Sequence, residues 1–406
     1  MRRLRRSGAG RSAALRAGVP AVSMVLAATV CGVPAARAQA VHPVAGPASS
    51  AAAAAVTSCA DRVYSGMTQA QRIGQLFMGG VSASSPSATD LRTLRDQHVG
   101  SVMLTGRSSA GVTATRNVVD GIRGQADTVS GKRVGLLVAT DQEGGQVQVL
   151  SGPGFSTMPN ALTQGGWSTS TLRSRAAGWA GQLRSAGVDL NLAPVADVVP
   201  ASLGTRNQPI GRYYREYGHT PDVVASHSGA FAAGSKQAHV MTTLKHFPGL
   251  GRVIGNTDTT ANVVDSVTTT TSSYLTPFKS GIQAGSPFVM VSLATYTKID
   301  PNHIAAFSPT VVRKLLRTQL GFKGVVISDD LGQAVAVRSY TPGQRAVGFL
   351  AAGGDLVLTV KPSIVPAMVQ AVRSRMQTDA AFRSGVADSV HRVLAAKAAA
   401  GLLDCG

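Results

Sequence analysis

Eight short apolar runs, each separated from the next by a segment long enough for a helix, constrain this chain more than any other feature. They are IGQLFMGG (73–80), VGSVMLTG (99–106), VGLLVATD (134–141), VDLNLAPVADV (188–198), HVMTTLKHF (239–247), PFVMVSLATY (287–296), GVVISDD (324–330) and GDLVLTV (354–360). Most are continuous in Val, Ile, Leu and Met rather than alternating with polar residues. That pattern suits parallel strands covered on both faces. The segments between them read as helices. SPTVVRKLLRTQLG offers Ser308 as an N-cap and Gly321 as a stop, and TPGQRAVGFLAAG is a second example. Eight alternating units predict an α/β fold, a (β/α)8 TIM barrel in a single domain. A doubly wound open sheet is the alternative.

Polar residues gather at the ends of these runs. The third ends in Asp141, followed closely by Glu143, and the fourth holds Asp197. The fifth ends in Lys245-His246, and the seventh in Ser328-Asp329-Asp330. In a barrel the carboxyl ends of the strands build the active site. A single Asp at such a place is often a helix N-cap; four strands ending this way point to a functional cluster. The stretch KHFPGLGRVIGNTDTT (245–260) adds a glycine-rich loop that carries Asn256 and Asp258.

Several chemistries lack their residues. There is no G-x-S-x-G elbow and no C-x-x-C pair. GLGRVIG has one residue too many for a dinucleotide fingerprint. His246 is the only histidine at a strand end. Metal ligation there would need carboxylate partners and stays open as an alternative; the expectation is no metal and no cofactor. A pair of carboxylates beside cationic and hydroxyl-binding groups fits glycoside cleavage instead. One carboxylate attacks the anomeric carbon while a second group protonates the leaving oxygen.

The blocks DQEGGQVQ, LNLAPVADV, KHFPGLG, VMVSLATY and LLRTQLGFKGVVISDDL, in this order and spacing, resemble glycoside hydrolase family 3, in its single-barrel β-N-acetylglucosaminidase branch. The resemblance spans roughly residues 60 to 400. It implies a retaining, exo-acting enzyme with Asp329 as nucleophile. It implies sugar contacts from Asp141, Lys245 and His246, and from Arg215 in the longer local loop NQPIGRYYREYG. Glu143 is structural in that pattern, and Asp330 caps or braces the next helix. Three positions depart from it. Where the branch has an Asp-Ser-His whose histidine is the general acid/base, this chain has Asn256-Thr257-Asp258. Val149 stands for an arginine and Leu293 for a histidine. Asp258 is the candidate acid/base, its alternative being a turn cap with Thr259 and Thr260. Glycines 249, 251 and 255 are expected to let its loop close. Three readings are open: a β-N-acetylhexosaminidase or β-glucosidase with altered acid/base chemistry, a non-catalytic glycan-binding descendant, or a barrel hydrolase of another class.

The start of the chain reads differently. Arg2, Arg3, Arg5, Arg6, Arg11 and Arg16 precede an apolar run that ends in Ala36-Arg37-Ala38-Gln39-Ala40. This is a secretory signal over residues 1–40, a retained membrane anchor or a lipid-modified Cys31 being the alternatives. Residues 41–58, rich in Ala, Pro and Ser, are expected to be a disordered spacer. The barrel domain would then occupy 59–406. Removing seven basic residues with the signal leaves 32 against 20 acids, a net charge of +12. No basic run is interleaved with aromatics, so no nucleic-acid partner is expected. The expectation is a secreted, monomeric protein, not stably inserted in a membrane, acting on a carbohydrate that contains N-acetylglucosamine. In an oxidising compartment Cys59 and Cys405 would pair.

Overall fold

A computed structural model of the protein describes residues 47–404. All eight apolar runs contain a strand: β1 Phe77–Ser82, β2 Ser101–Thr105, β3 Leu137–Thr140, β4 Leu190–Asn191, β5 Met241–Phe247, β6 Phe288–Val291, β7 Val325–Ser328 and β8 Val357–Thr359. They pair in parallel in the order β7-β6-β5-β4-β3-β2-β1-β8. A parallel bridge between Ile327 and Leu356 joins the two ends of that order. Ser328 N donating to Leu356 O at 3.0 Å and Leu331 N to Leu358 O at 2.9 Å continue it. The sheet is therefore a ring, which is the (β/α)8 barrel and not the open sheet.

The strands are shorter than the runs that announced them. Gln69–Gly74 is helical, so β1 starts at Phe77 rather than at 73. The fourth run contributes only Leu190–Asn191, and Pro194, which has no amide hydrogen, follows shortly after. Thr295–Tyr296 belongs to a separate three-stranded sheet beside the barrel. The helix boundaries follow their signals. Ser308 Oγ accepts from Val311 N at 3.1 Å, and Gly321 ends that helical segment at φ +72°. Thr341 and Gln344 form a capping box, and Gly353 stops the helix at φ +105°.

The interior of the ring is packed with Met78, Met103, Leu137, Leu190, Phe288 and Ile327. Its lower end is plugged by the last helix, Ala380–Ala399, which contributes Val393. Lys397 of that helix is fully buried, and its Nζ donates to Gln75 Oε1 at 2.5 Å. Burial pushes its pKa down to about 7.

Part of the expected spacer is a helix. Pro47–Gly66 is continuous, because an alanine run has the highest helix propensity and Pro47 suits a first turn. Residues 41–46, like the signal expected over 1–40, lie outside the described residues. The Pro47–Gly66 helix packs on Ala380–Ala399, where the Tyr64 and His391 rings are 4.1 Å apart and Asp61 pairs with His391 at 3.0 Å. Cys59 is on the buried side of this contact, at 3% exposure. Its expected partner Cys405 lies outside the described residues.

Candidate active site

The carboxyl ends of the strands surround a cleft of about 480 Å³. Asp141, Arg215, Lys245, His246, Asp258 and Asp329 all line it. These residues span nearly two hundred positions of sequence, and the closure of the barrel brings them together. Asp141 follows β3, Lys245 and His246 end β5, and Asp329 follows β7. Rigid strands thus hold most of the cluster, and loops hold Arg215 and Asp258.

One side of the cleft is an ion-pair relay centred on Glu143. Its two carboxylate oxygens accept from Arg215 Nε and Nη2, both at 2.8 Å. Lys245 Nζ lies 2.6 Å from both Glu143 Oε1 and Asp141 Oδ1. Burial alone would raise the Glu143 carboxyl, but the charges of Arg215 and Lys245 prevail and hold its pKa down to about 2. Burial likewise disfavours the Lys245 charge, and Asp141 and Glu143 overcome it, raising the pKa. Arg215 also donates Nη1 to Pro209 O at 2.8 Å. A guanidinium has five N–H groups, so two remain for a ligand. The structural role expected of Glu143 is this one: it clamps Arg215 and Lys245 together at the cleft.

Asp197 organises the other side. It is fully buried and accepts from His246 Nδ1 at 2.7 Å. Its second oxygen accepts from the amides of His246 at 3.1 Å and Leu250 at 2.7 Å. An Nδ1 that donates to a carboxylate fixes the imidazole and leaves Nε2 for the cleft. The sequence marked Asp197 as a strand-end acid but offered no function for it. Only its position one strand before the Lys-His pair could have suggested one.

Asp258 is held by its neighbours rather than holding them. Asn256 Oδ1 accepts from Asp258 N at 3.0 Å, and Asn256 O accepts from Thr259 N and Thr260 N. Asn256 therefore caps the turn, and the Asp258 carboxylate accepts no hydrogen bond among the described residues. The turn is braced from across the cleft, where Ala336 N donates to Thr257 O at 3.0 Å and Val335 N to Asp258 O at 3.2 Å. Those donors lie in the loop after Asp329. Asp258 is exposed by area because the cleft opens above it. Protein nonetheless surrounds its carboxyl on the cleft side. This burial, and then the nearby Asp329 charge, raise its pKa to about 6 against the pull of Arg215 and His246.

Asp329 N donates to Val291 O at 3.0 Å, and Asp329 Oδ1 accepts from Asp330 N at 2.8 Å. Asp330 accepts from the amides of Gly332, Gln333 and Val360. It braces the loop after β7 against the end of β8. One of the three glycines after Lys245 differs from expectation, while Gly249, at φ +131°, has open space where a Cβ would stand. A Cβ on Gly251 would stand 1.9 Å from Val198 O, so this glycine serves close packing rather than a hinge. Leu293 is buried in the core and Val149 is partly buried; neither lines the cleft. Glu216 is buried and does not line it either.

The model of the glycosyl hydrolase family 3 N-terminal domain matches residues 68–396. The chain belongs to glycosyl hydrolase family 3. It is a glycoside hydrolase. A β-hexosaminidase of Xanthomonas axonopodis pv. citri is 33% identical over 315 residues, covering 76% of this chain and 90% of its own. A β-hexosaminidase of Xylella fastidiosa strain M23 is 36% identical over 318 residues, with the same coverages of 76% and 90%. Among solved structures, the β-N-acetylhexosaminidase from Beutenbergia cavernae DSM 12333 superposes with a TM-score of 0.80 at 49% identity, covering 82% of this chain and 98% of that one.

Proposed function

We propose that this family 3 hydrolase is a secreted, retaining β-N-acetylhexosaminidase that removes terminal N-acetylglucosamine from cell-wall or chitin-derived glycans. The names of its relatives support the sugar. The observation that carries the mechanism is the pairing, in one cleft, of Asp329 on a strand end with an unbonded Asp258 whose pKa is raised to about 6.

In the first step an Asp329 carboxylate oxygen attacks the anomeric carbon. The bond from that carbon to the leaving oxygen breaks, and the Asp258 proton passes to that oxygen. In the second step the Asp258 carboxylate takes a proton from water. The water oxygen bonds to the anomeric carbon, and the ester to Asp329 breaks. Two displacements retain the configuration. Asp141, the spare N–H groups of Arg215, Lys245 and His246 Nε2 orient the sugar through charge-assisted hydrogen bonds.

The test is turnover of aryl β-N-acetylglucosaminide against aryl β-glucoside, followed by trapping with a 2-fluoro sugar and peptide mapping. The expected result is preference for the acetamido sugar and a label on Asp329. A label on Asp141 or Asp258 would overturn the assignment of the nucleophile, and a glucoside preference that of the sugar.

A further inference from the structure

A second concavity lies at the other end of the barrel, away from the cleft. It has a volume of about 670 Å³, within the range of roughly 300–1,000 Å³ typical of small-ligand sites. Its floor is formed by Met241 and Leu244 of β5, Pro287 just before β6, and small residues of the helix Pro221–Gln237. It runs into a shallower groove of about 730 Å³ between that helix and Thr169–Ser185. The two share Gly229 and Ala233. The result is an elongated channel. The cavity is floored by small and apolar residues, whereas the groove beyond it is lined by small but largely polar ones, with Thr169, Ser170, Ser174 and Ser226 along it.

The charges along it have one sign. Arg184, Lys236 and His239 line the cavity and are exposed, and Arg173 lines the groove. No Asp or Glu lines either part. Arg184 reaches Asp189 at 3.4 Å, but that carboxylate is already held by Arg123 at 2.8 Å. The side chains of Lys236 and His239 make no hydrogen bond or ion pair with other described residues. Lys236 also stands in the last turn of its helix, where a cation answers the helix dipole. That role accounts for one lysine, not for a channel bare of acids.

We infer that this channel binds a single-chain anionic amphiphile, a long-chain fatty carboxylate. Its tail would lie along the floor past Gly229 and Ala233, and its carboxylate would meet Lys236 and His239. Apolar burial supplies the attraction and the cations choose the sign of the headgroup.

Gly229 provides a variant that spares the fold. A Cβ there meets nothing within 4 Å, and the position is helical, so a larger residue fills the channel without displacing backbone. The experiment titrates the full chain with a dansylated undecanoate and follows its fluorescence. Saturable binding is expected, displaced by dodecanoate and not by dodecyltrimethylammonium. Gly229→Leu and Lys236→Glu should each weaken it by about tenfold or more, and neither should change glycoside turnover. No saturable binding, equal displacement by the cationic amphiphile, or full binding by Gly229→Leu would overturn the inference. Retention on phosphatidylglycerol vesicles without binding of the free probe would also overturn it, in favour of a membrane lipid.

Discussion

Asp258 offers a sharp test, because its proposed role ties a structural feature to a pH. An ordinary aspartate titrates near 3.8, and this one is raised to about 6 by burial and by the Asp329 charge. At pH 7 an ordinary aspartate would be protonated in fewer than about 1 in 1,000 molecules, whereas a pKa of 6 leaves roughly one in ten. The cleft thus keeps about a hundredfold more acid available for the first step. The general acid must be protonated, so kcat/KM should fall as pH rises through about 6 on an aryl glycoside with a poor leaving group. Asp258→Asn should remove that limb and cost about 10²–10⁴ in rate, the usual worth of a positioned acid. A dinitrophenyl glycoside, which hardly needs protonation, should lose far less in the same step. Folding supplies an independent readout. With its folded pKa raised above the unfolded one, Asp258 favours the native state below pH 3.8 and loses that contribution as pH rises through about 6. The Asn variant should therefore gain Tm relative to the parent at pH 8 and not at pH 3. Equal losses on both substrates, with the alkaline limb unchanged, would refute the assignment.

Other outcomes rest on the same contacts. Asp197→Asn keeps an oxygen for the amides of His246 and Leu250 but sets an NH2 against Nδ1, so the imidazole is driven to the wrong tautomer. Turnover should drop on the order of 10–100-fold with KM raised and the far-ultraviolet circular dichroism unchanged. Lys397→Met should stabilise the protein. A lysine lowered from 10.5 to about 7 costs stability that grows as pH falls from about 10 to 7 and is constant below, so the gain in Tm should be larger at pH 6 than at pH 10. Cys59, on a helix packed against the last one, should be found joined to Cys405 in non-reducing peptide maps of protein prepared under oxidising conditions, and reduction should lower Tm.

The fold was legible because its signal is repeated. Any one apolar run could have been a buried helix, but eight with helical segments between them leave few arrangements. The boundaries were not legible where the run and the strand have different causes. VDLNLAPVADV is apolar because all of it is buried, yet only Leu190–Asn191 has a ladder. Residues 47–58 resembled a spacer because small residues cannot build a core; the same alanines are the best helix formers, and docking on the last helix decides between the two. The site was legible as residue types at strand ends. Its wiring was not. That Glu143 serves Arg215 and Lys245 together, and that Asp197 serves His246, depends on which strand ends become neighbours when the ring closes.

The loop that departs from the family pattern shows what such wiring adds. In the sequence Asn256 and Asp258 look like two separate losses, an acid and a histidine. Placed together, they read as one coordinated change. A histidine acid/base profits from a carboxylate that fixes its tautomer. A carboxylic acid has no tautomer to fix, and needs only to remain protonated near neutral pH. Asn256 supplies the oxygen that caps the turn at Asp258 N, as an aspartate would, without the added charge. The raised pKa then comes from burial and from Asp329, the group whose charge is consumed when the glycosyl ester forms. On this reading the two steps hand the proton over by themselves. While Asp329 is ionised, Asp258 holds its proton as an acid. Once Asp329 is esterified, that repulsion is gone, the Asp258 pKa falls, and the carboxylate is ready to take a proton from water.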